Sequence, residues 1–193
     1  MVNGVDPNKV IFTGENPYIR LAHSSGGELT TRTSFWRVIL SPAGPGHVLF
    51  ITSELTDNQP RVYSDNIAVA RWFQRDIAKV QFPPFGDESI EVIDAEFGKS
   101  GDIRSYWTET IISRDDDIAM TWYEIQEPYI INHPPGSRPG RRHGVYACMI
   151  PAAAARLTIN GQQAEGRTFL SSDYPDSQGV SSLAFSESWL ISQ

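Results

Sequence analysis

Near the C-terminus, Leu183, Phe185, Glu187, Trp189 and Ile191 occupy every second position. Side chains two apart on a strand share a face. The pattern predicts a strand whose bulky apolar face carries one carboxylate, Glu187. Such a group either points into a wet interior or is buried against a partner. A wet interior would be a ligand pocket.

Similar short runs fill most of the chain. Strands are predicted over 18–23, 34–40, 47–55, 89–97, 103–113, 118–125, 146–150, 156–159, 162–170 and 182–191. Turn-forming residues separate them: Ser41-Pro42-Ala43-Gly44-Pro45-Gly46, Gly98 to Asp102, Arg114-Asp115-Asp116-Asp117, and Asn160-Gly161. The last is a favoured hairpin pair. One segment has the helical period instead. Val69, Ala70, Trp72, Phe73 and Ile77 recur at helical spacing after Ser64 and Asp65, either of which would serve as N-cap. This helix would lie on a sheet or plug a barrel end. A short helical turn would fit 152–155, just after Pro151.

Many short antiparallel strands with one amphipathic helix predict a mainly β fold, an antiparallel β-barrel. A two-sheet sandwich or jelly roll is the alternative. A chain of 193 residues suits one domain over 1–193. Its exception is a Pro/Gly/Arg-rich loop at 126–144, which holds His133, Arg138, Arg141, Arg142 and His143. Long loops inside compact domains are often functional. This one would be a basic lid over an anionic ligand, or a solvated excursion.

Composition narrows the classes. The hydrophobic fraction of 40% and charged fraction of 20% are those of an ordinary globular protein. A net charge of -7 argues against nucleic acid as the main partner. The single cysteine, Cys148, permits no intrachain disulfide, and its apolar neighbours predict an inert thiol. No apolar signal core opens the chain and no run reaches the ~18 apolar residues of a membrane span. The expectation is a cytoplasmic protein with no membrane contact.

The stretch Arg156-Leu-Thr-Ile-Asn-Gly-Gln-Gln-Ala-Glu-Gly-Arg167, followed by Ser182-Leu-Ala-Phe-Ser-Glu-Ser-Trp-Leu190, resembles the closing strands of lipocalin-like domains. The likeness is to the AttH and carotenoid-hydratase kind and covers the last quarter of the chain. It implies a calycin-type barrel around an apolar ligand, in a family of carriers and a few lyases, hydratases or cyclases. The Gly-x-Trp signature of classical lipocalins is absent, and no catalytic motif of the family matches residue by residue.

Candidate chemistry rests on polar residues set in apolar faces. Glu109 shares a face with Trp107 and Ile111. Glu124 shares one with Ile118, Met120 and Trp122, and Arg37 lies between Phe35 and Ile39. A carboxyl group in an apolar cavity has its charged form disfavoured, so it can act as general acid or base. Glu187, Glu109 and Glu124 are the candidate proton-transfer groups, Glu187 first. Arg37 would bind a substrate oxygen or neutralise one of them. Tyr106, Trp107, Trp122, Tyr146 and Trp189 would line the ligand site, since aromatics with a polar tip give area and orientation together. Each has a blander reading as core or as a structural ion pair.

His23, His47, His133 and His143 form no metal-ligand spacing, so no metal is expected. No nucleophile elbow or nucleotide-binding glycine loop occurs, so no cofactor is expected. The leading functional expectation is binding of a small, largely apolar organic molecule in the barrel. Cofactor-independent isomerase, dehydratase or cyclase chemistry would follow from the carboxylates. The alternative is a non-catalytic interaction module whose basic loop docks an acidic partner or a second subunit as a homodimer.

Overall fold

The predicted strands join into one closed wall. The computed structural model describes residues 9–79, 82–137, 143–169 and 181–191. In chain order the strands are β1 (Val10–Glu15), β2 (Arg20–Ala22), β3 (Leu29–Leu40), β4 (Gly46–Ser53) and β5 (Arg61–Ser64). The helix α1 (Ile67–Phe73) follows. Then come β6 (Val92–Asp102), β7 (Tyr106–Ser113), β8 (Asp117–Ile125), β9 (Tyr129–His133), β10 (His143–Ile159), β11 (Gln162–Gln163) and β12 (Ser182–Ile191).

The order β1-β12-β10-β8-β7-β6-β5-β4-β3 closes because β3 pairs back onto β1, giving a nine-stranded barrel. Among the described residues every strand pairing is antiparallel except β5 with β6. β2 hangs from β3, while β9 and β11 hang from β10. Strand β10 bends the wall: its first half pairs β12 and its second half pairs β8.

Two apolar layers lie on the two sides of this wall. Phe35, Leu49, Ile51, Tyr63, Ile111, Ile118, Met120, Trp122, Leu157 and Leu183 pack inside. Phe12, Trp36, Val38, Val48, Phe50 and Val62 face outward, where α1 covers them with Val69, Ala70, Trp72 and Phe73. The helix therefore lies on the outer wall and does not plug an end. Trp36 stacks against Phe73 with centroids 4.8 Å apart and meets Trp189 at 6.2 Å. Burying each of these side chains contributes about 1.5–3 kcal/mol.

Several local expectations change. The N-cap of α1 is Asn66, whose side chain accepts from the Ala68 N–H. The helix passes into a π turn over Gln74–Ala78. The four alanines 152–155 are strand: Ala155 pairs with Trp122 and Ala154 with Tyr123, and pairing overrides helix propensity. The Pro-rich loop contains β9, which pairs β10 from Tyr129 to His133. Of the strand expected over 162–170, the described residues 162–169 hold Gln162–Gln163, although Asn160 and Gly161 do form the turn, with φ 53° and 78°. Strand β6 runs through the expected turn at Gly98, so that hairpin turns after Asp102.

Two strands break their own alternation. Ser186 sits at φ 52° where the β10–β12 register slips between Tyr146 and Cys148. Leu183 and Phe185 belong to the inner layer, whereas Trp189 belongs to the outer one. The row read from the sequence is thus split across the wall. Glu124 sits at φ 53° and is exposed, so it does not share the inner face of Ile118, Met120 and Trp122. A residue in the left-handed region turns its side chain out of the pleat. No helix among the described residues is long and apolar enough to cross a membrane.

Candidate functional site

Some of the sequence-derived site residues form two groups on opposite sides of the wall. Inside, β3 and β7 keep strict alternation, and this brings Arg37 and Glu109 together. An Arg37 guanidinium N–H donates to Glu109 Oε2 at 2.6 Å, and Trp107 Nε1–H donates to Glu109 Oε1 at 2.7 Å. Glu109 is fully buried. Arg37 also pairs with Glu15, and its Nε–H donates to His47 Nε2 at 3.2 Å. The other nitrogen of that ring, Nδ1, lies 2.6 Å from Asp65 Oδ2. Because Nε2 accepts, this network places the proton on Nδ1, donated to Asp65. Phe97 stacks on the His47 ring at 5.0 Å.

Burial pushes Glu109 above its ordinary value of 4.5, and Arg37 and the indole N–H pull it back without cancelling the shift. Burial also works against the Arg37 charge, but the two carboxylates outweigh it and raise its pKa. Every charge here already has protein partners. The chain from Asp65 to Glu109 runs from an exposed carboxylate to a fully buried one, and its polar capacity is largely spent within the protein.

On the outer side, Glu187 and Trp189 line a cleft of about 160 Å³ between β12, β10, β9 and the segment leading into β2. Glu187 is 5% exposed and accepts from Trp189 Nε1–H at 2.5 Å. Asn16, Tyr18, Arg20 and His133 supply further polar groups, and Ile131, Ala147 and Met149 the apolar side. Burial pushes the Tyr18 hydroxyl up to about 12; Arg20 lowers it, while Tyr129 and Glu187 raise it. Tyr18 is therefore a neutral donor at neutral pH. The volume is below the roughly 300 Å³ at which drug-sized pockets begin. It suits a fragment-sized molecule and is too small for a polyene.

The remaining expected residues are dispersed. Trp122 is fully buried and donates its indole N–H to the Tyr18 carbonyl at 3.0 Å, a packing role. Trp107 is half-buried beside Phe185, at 5.6 Å. Tyr106 and Tyr146 are exposed. His143 opens β10 with its ring 5.7 Å from Trp189, and His133 lines the cleft, so both histidines of segment 126–144 lie near it. Arg138, Arg141 and Arg142 lie outside the described residues. Among the described residues no three His, Cys, Asp or Glu side chains converge as metal ligands. Sequence reasoning missed Asn16, Tyr18 and Arg20. Their signal was the weak alternation of Tyr18 and Arg20 with Ile19 and Leu21.

No protein-family model, curated protein or solved structure matches this chain.

Proposed function

We propose that this protein binds a small organic molecule in the outer cleft, with Glu187 beside it as the proton-transfer group. The observation that carries this reading is a nearly buried carboxylate at the wall of an open cleft, with cation, phenol and amide groups around it. The inner carboxylate, Glu109, is instead fully enclosed. The apolar side formed by Ile131, Ala147 and Met149 would take the ligand's hydrocarbon part. Tyr18 and Arg20 would hold an oxygen of the ligand. In this reading Glu187 moves a proton in cofactor-independent isomerase, dehydratase or cyclase chemistry. The closed barrel supports the lipocalin-like kinship implied by the C-terminal strands. The parallel β5–β6 pair and the ninth strand set it apart from an eight-stranded up-and-down barrel.

A thermal-shift screen against small acids, ketones and alcohols tests the proposal. A ligand at a hundred times its dissociation constant adds about 2.7 kcal/mol of stability. Glu187→Gln should keep ligand affinity and lose turnover of the hit. Equal turnover removes Glu187 from the mechanism, and a flat panel contradicts the binding proposal itself. The interaction-module reading draws on Ile39 and Leu40, 64% and 52% exposed at the end of β3. Native mass measurement showing a dimer that Ile39→Lys dissociates would favour it.

A further inference from the structure

Two arginines lie directly opposite one another on the outer face. Arg20 of β2 is the register partner of Arg32 of β3, and Arg32 is in turn opposite Thr52 of β4. Like charges in that position repel, and a sheet keeps such a pair only against compensation. Each guanidinium lies over an aromatic ring: Arg20 over Tyr18 at 5.2 Å, and Arg32 over Phe82 at 4.6 Å. Both are half-buried. Among the described residues neither has a carboxylate or a side-chain hydrogen-bond acceptor. The pKa of Arg32 is lowered by burial and then by the Arg20 charge, as expected of cations crowded without a counter-ion. Arg37, by contrast, holds two carboxylates.

The pair also sits where two clefts adjoin. Arg20 lines the cleft that contains Glu187. Arg32 lines a second one of about 310 Å³, with Thr52, Asn58, Pro60 and Phe85. Phe82 bounds the first cleft and carries Arg32 on its ring. We propose that Arg20 and Arg32 form an anion site for an organic phosphate monoester whose carbon part occupies the second cleft. Guanidinium forks match phosphate oxygens bidentately. A dianion neutralises both charges, where a carboxylate would leave one uncompensated. Thr52 and Asn58 supply hydroxyl and amide groups, and Pro60 and Phe85 an apolar floor. The inference extends the first-cleft reading through Arg20, but it does not depend on Glu187.

Calorimetric titration with inorganic phosphate, phenyl phosphate and benzoate, at fixed ionic strength, tests it on the whole chain. Phenyl phosphate should bind most tightly, and benzoate and inorganic phosphate more weakly. Arg32→Gln should weaken phenyl phosphate by about tenfold or more. Arg32→Lys should recover only part of that loss, since an ammonium lacks the planar fork. The strongest hit of the thermal-shift screen should bind Arg32→Gln and the parent alike, which separates this site from failure of the first-cleft proposal. No binding, or equal binding by Arg32→Gln, overturns the site. Equal affinity for benzoate overturns the dianion. Should Arg32→Gln not fold, full phenyl phosphate affinity in Arg32→Lys overturns the fork.

Discussion

Phe185 and Glu187 stand two positions apart on β12 and face opposite sides of the barrel wall. Phe185 packs inward against Trp107, while Glu187 joins Trp189 in the outer cleft. The cause is Ser186, an exposed residue at φ 52° in the bulge between them. One extra residue in one strand of a ladder reverses the faces of everything after it.

The bulge should respond to backbone substitution. A left-handed residue with a Cβ is strained, and a β-branched one more so. Ser186→Gly should therefore hold stability within about 0.5 kcal/mol or raise it, and Ser186→Val should lower it by about 1–2 kcal/mol. Urea unfolding reads both. A Val variant as stable as the parent would argue for an ordinary extended residue here.

The inner ion pair makes an asymmetric prediction. Arg37→Met leaves Glu109 buried with one indole donor, which should cost about 3–5 kcal/mol. Arg37→Met combined with Glu109→Leu removes both charges and should recover most of that loss. A double-mutant cycle measures the coupling. Additive losses would mean that the two side chains do not interact.

Burial raises the Glu109 pKa above 4.5, so the folded state holds that proton more tightly than the unfolded chain. The contribution is fully present below the unfolded value and disappears as pH rises through the folded one. The parent should therefore lose stability relative to Glu109→Gln as pH is raised from about 4.5. The comparison cancels the exposed Asp87 and Asp102, whose depressed pKa values act in the opposite direction. A difference independent of pH would contradict the shift.

The α1 cap is a local test. Asn66→Ala removes the acceptor for the Ala68 N–H and the amide donor to the Pro45 carbonyl. A loss of about 0.5–2 kcal/mol in thermal or urea unfolding is expected. No loss would mean that Asn66 does not cap the helix.

What the sequence revealed follows from where alternation is unbroken. Phe35 to Arg37 on β3, and Trp107 to Ile111 on β7, keep period two, so the meeting of Arg37 and Glu109 was legible. The Asn160-Gly161 turn was legible because its conformations suit those residues. Glu187 and Glu124 were placed on the wrong faces because a positive φ at Ser186, and at Glu124 itself, leaves no mark in a hydrophobic pattern. Strand β9 lay hidden among prolines that bound it on both sides. The Arg20–Arg32 pair is a matter of register between strands, which one strand's pattern does not contain.

A ligand outside the wall, beside Glu187, is tested most directly by a nitrogen-15 spectrum of the indole N–H groups. Trp189, Trp107 and Trp122 donate to Glu187, Glu109 and the Tyr18 carbonyl, so each reports on its own place. Single Trp→Phe variants assign the signals. On titration with the strongest hit of the screen, the Trp189 indole should shift while that of Trp107 stays in place. A shift at Trp107 with Trp189 unmoved would put the ligand inside the barrel and contradict the account.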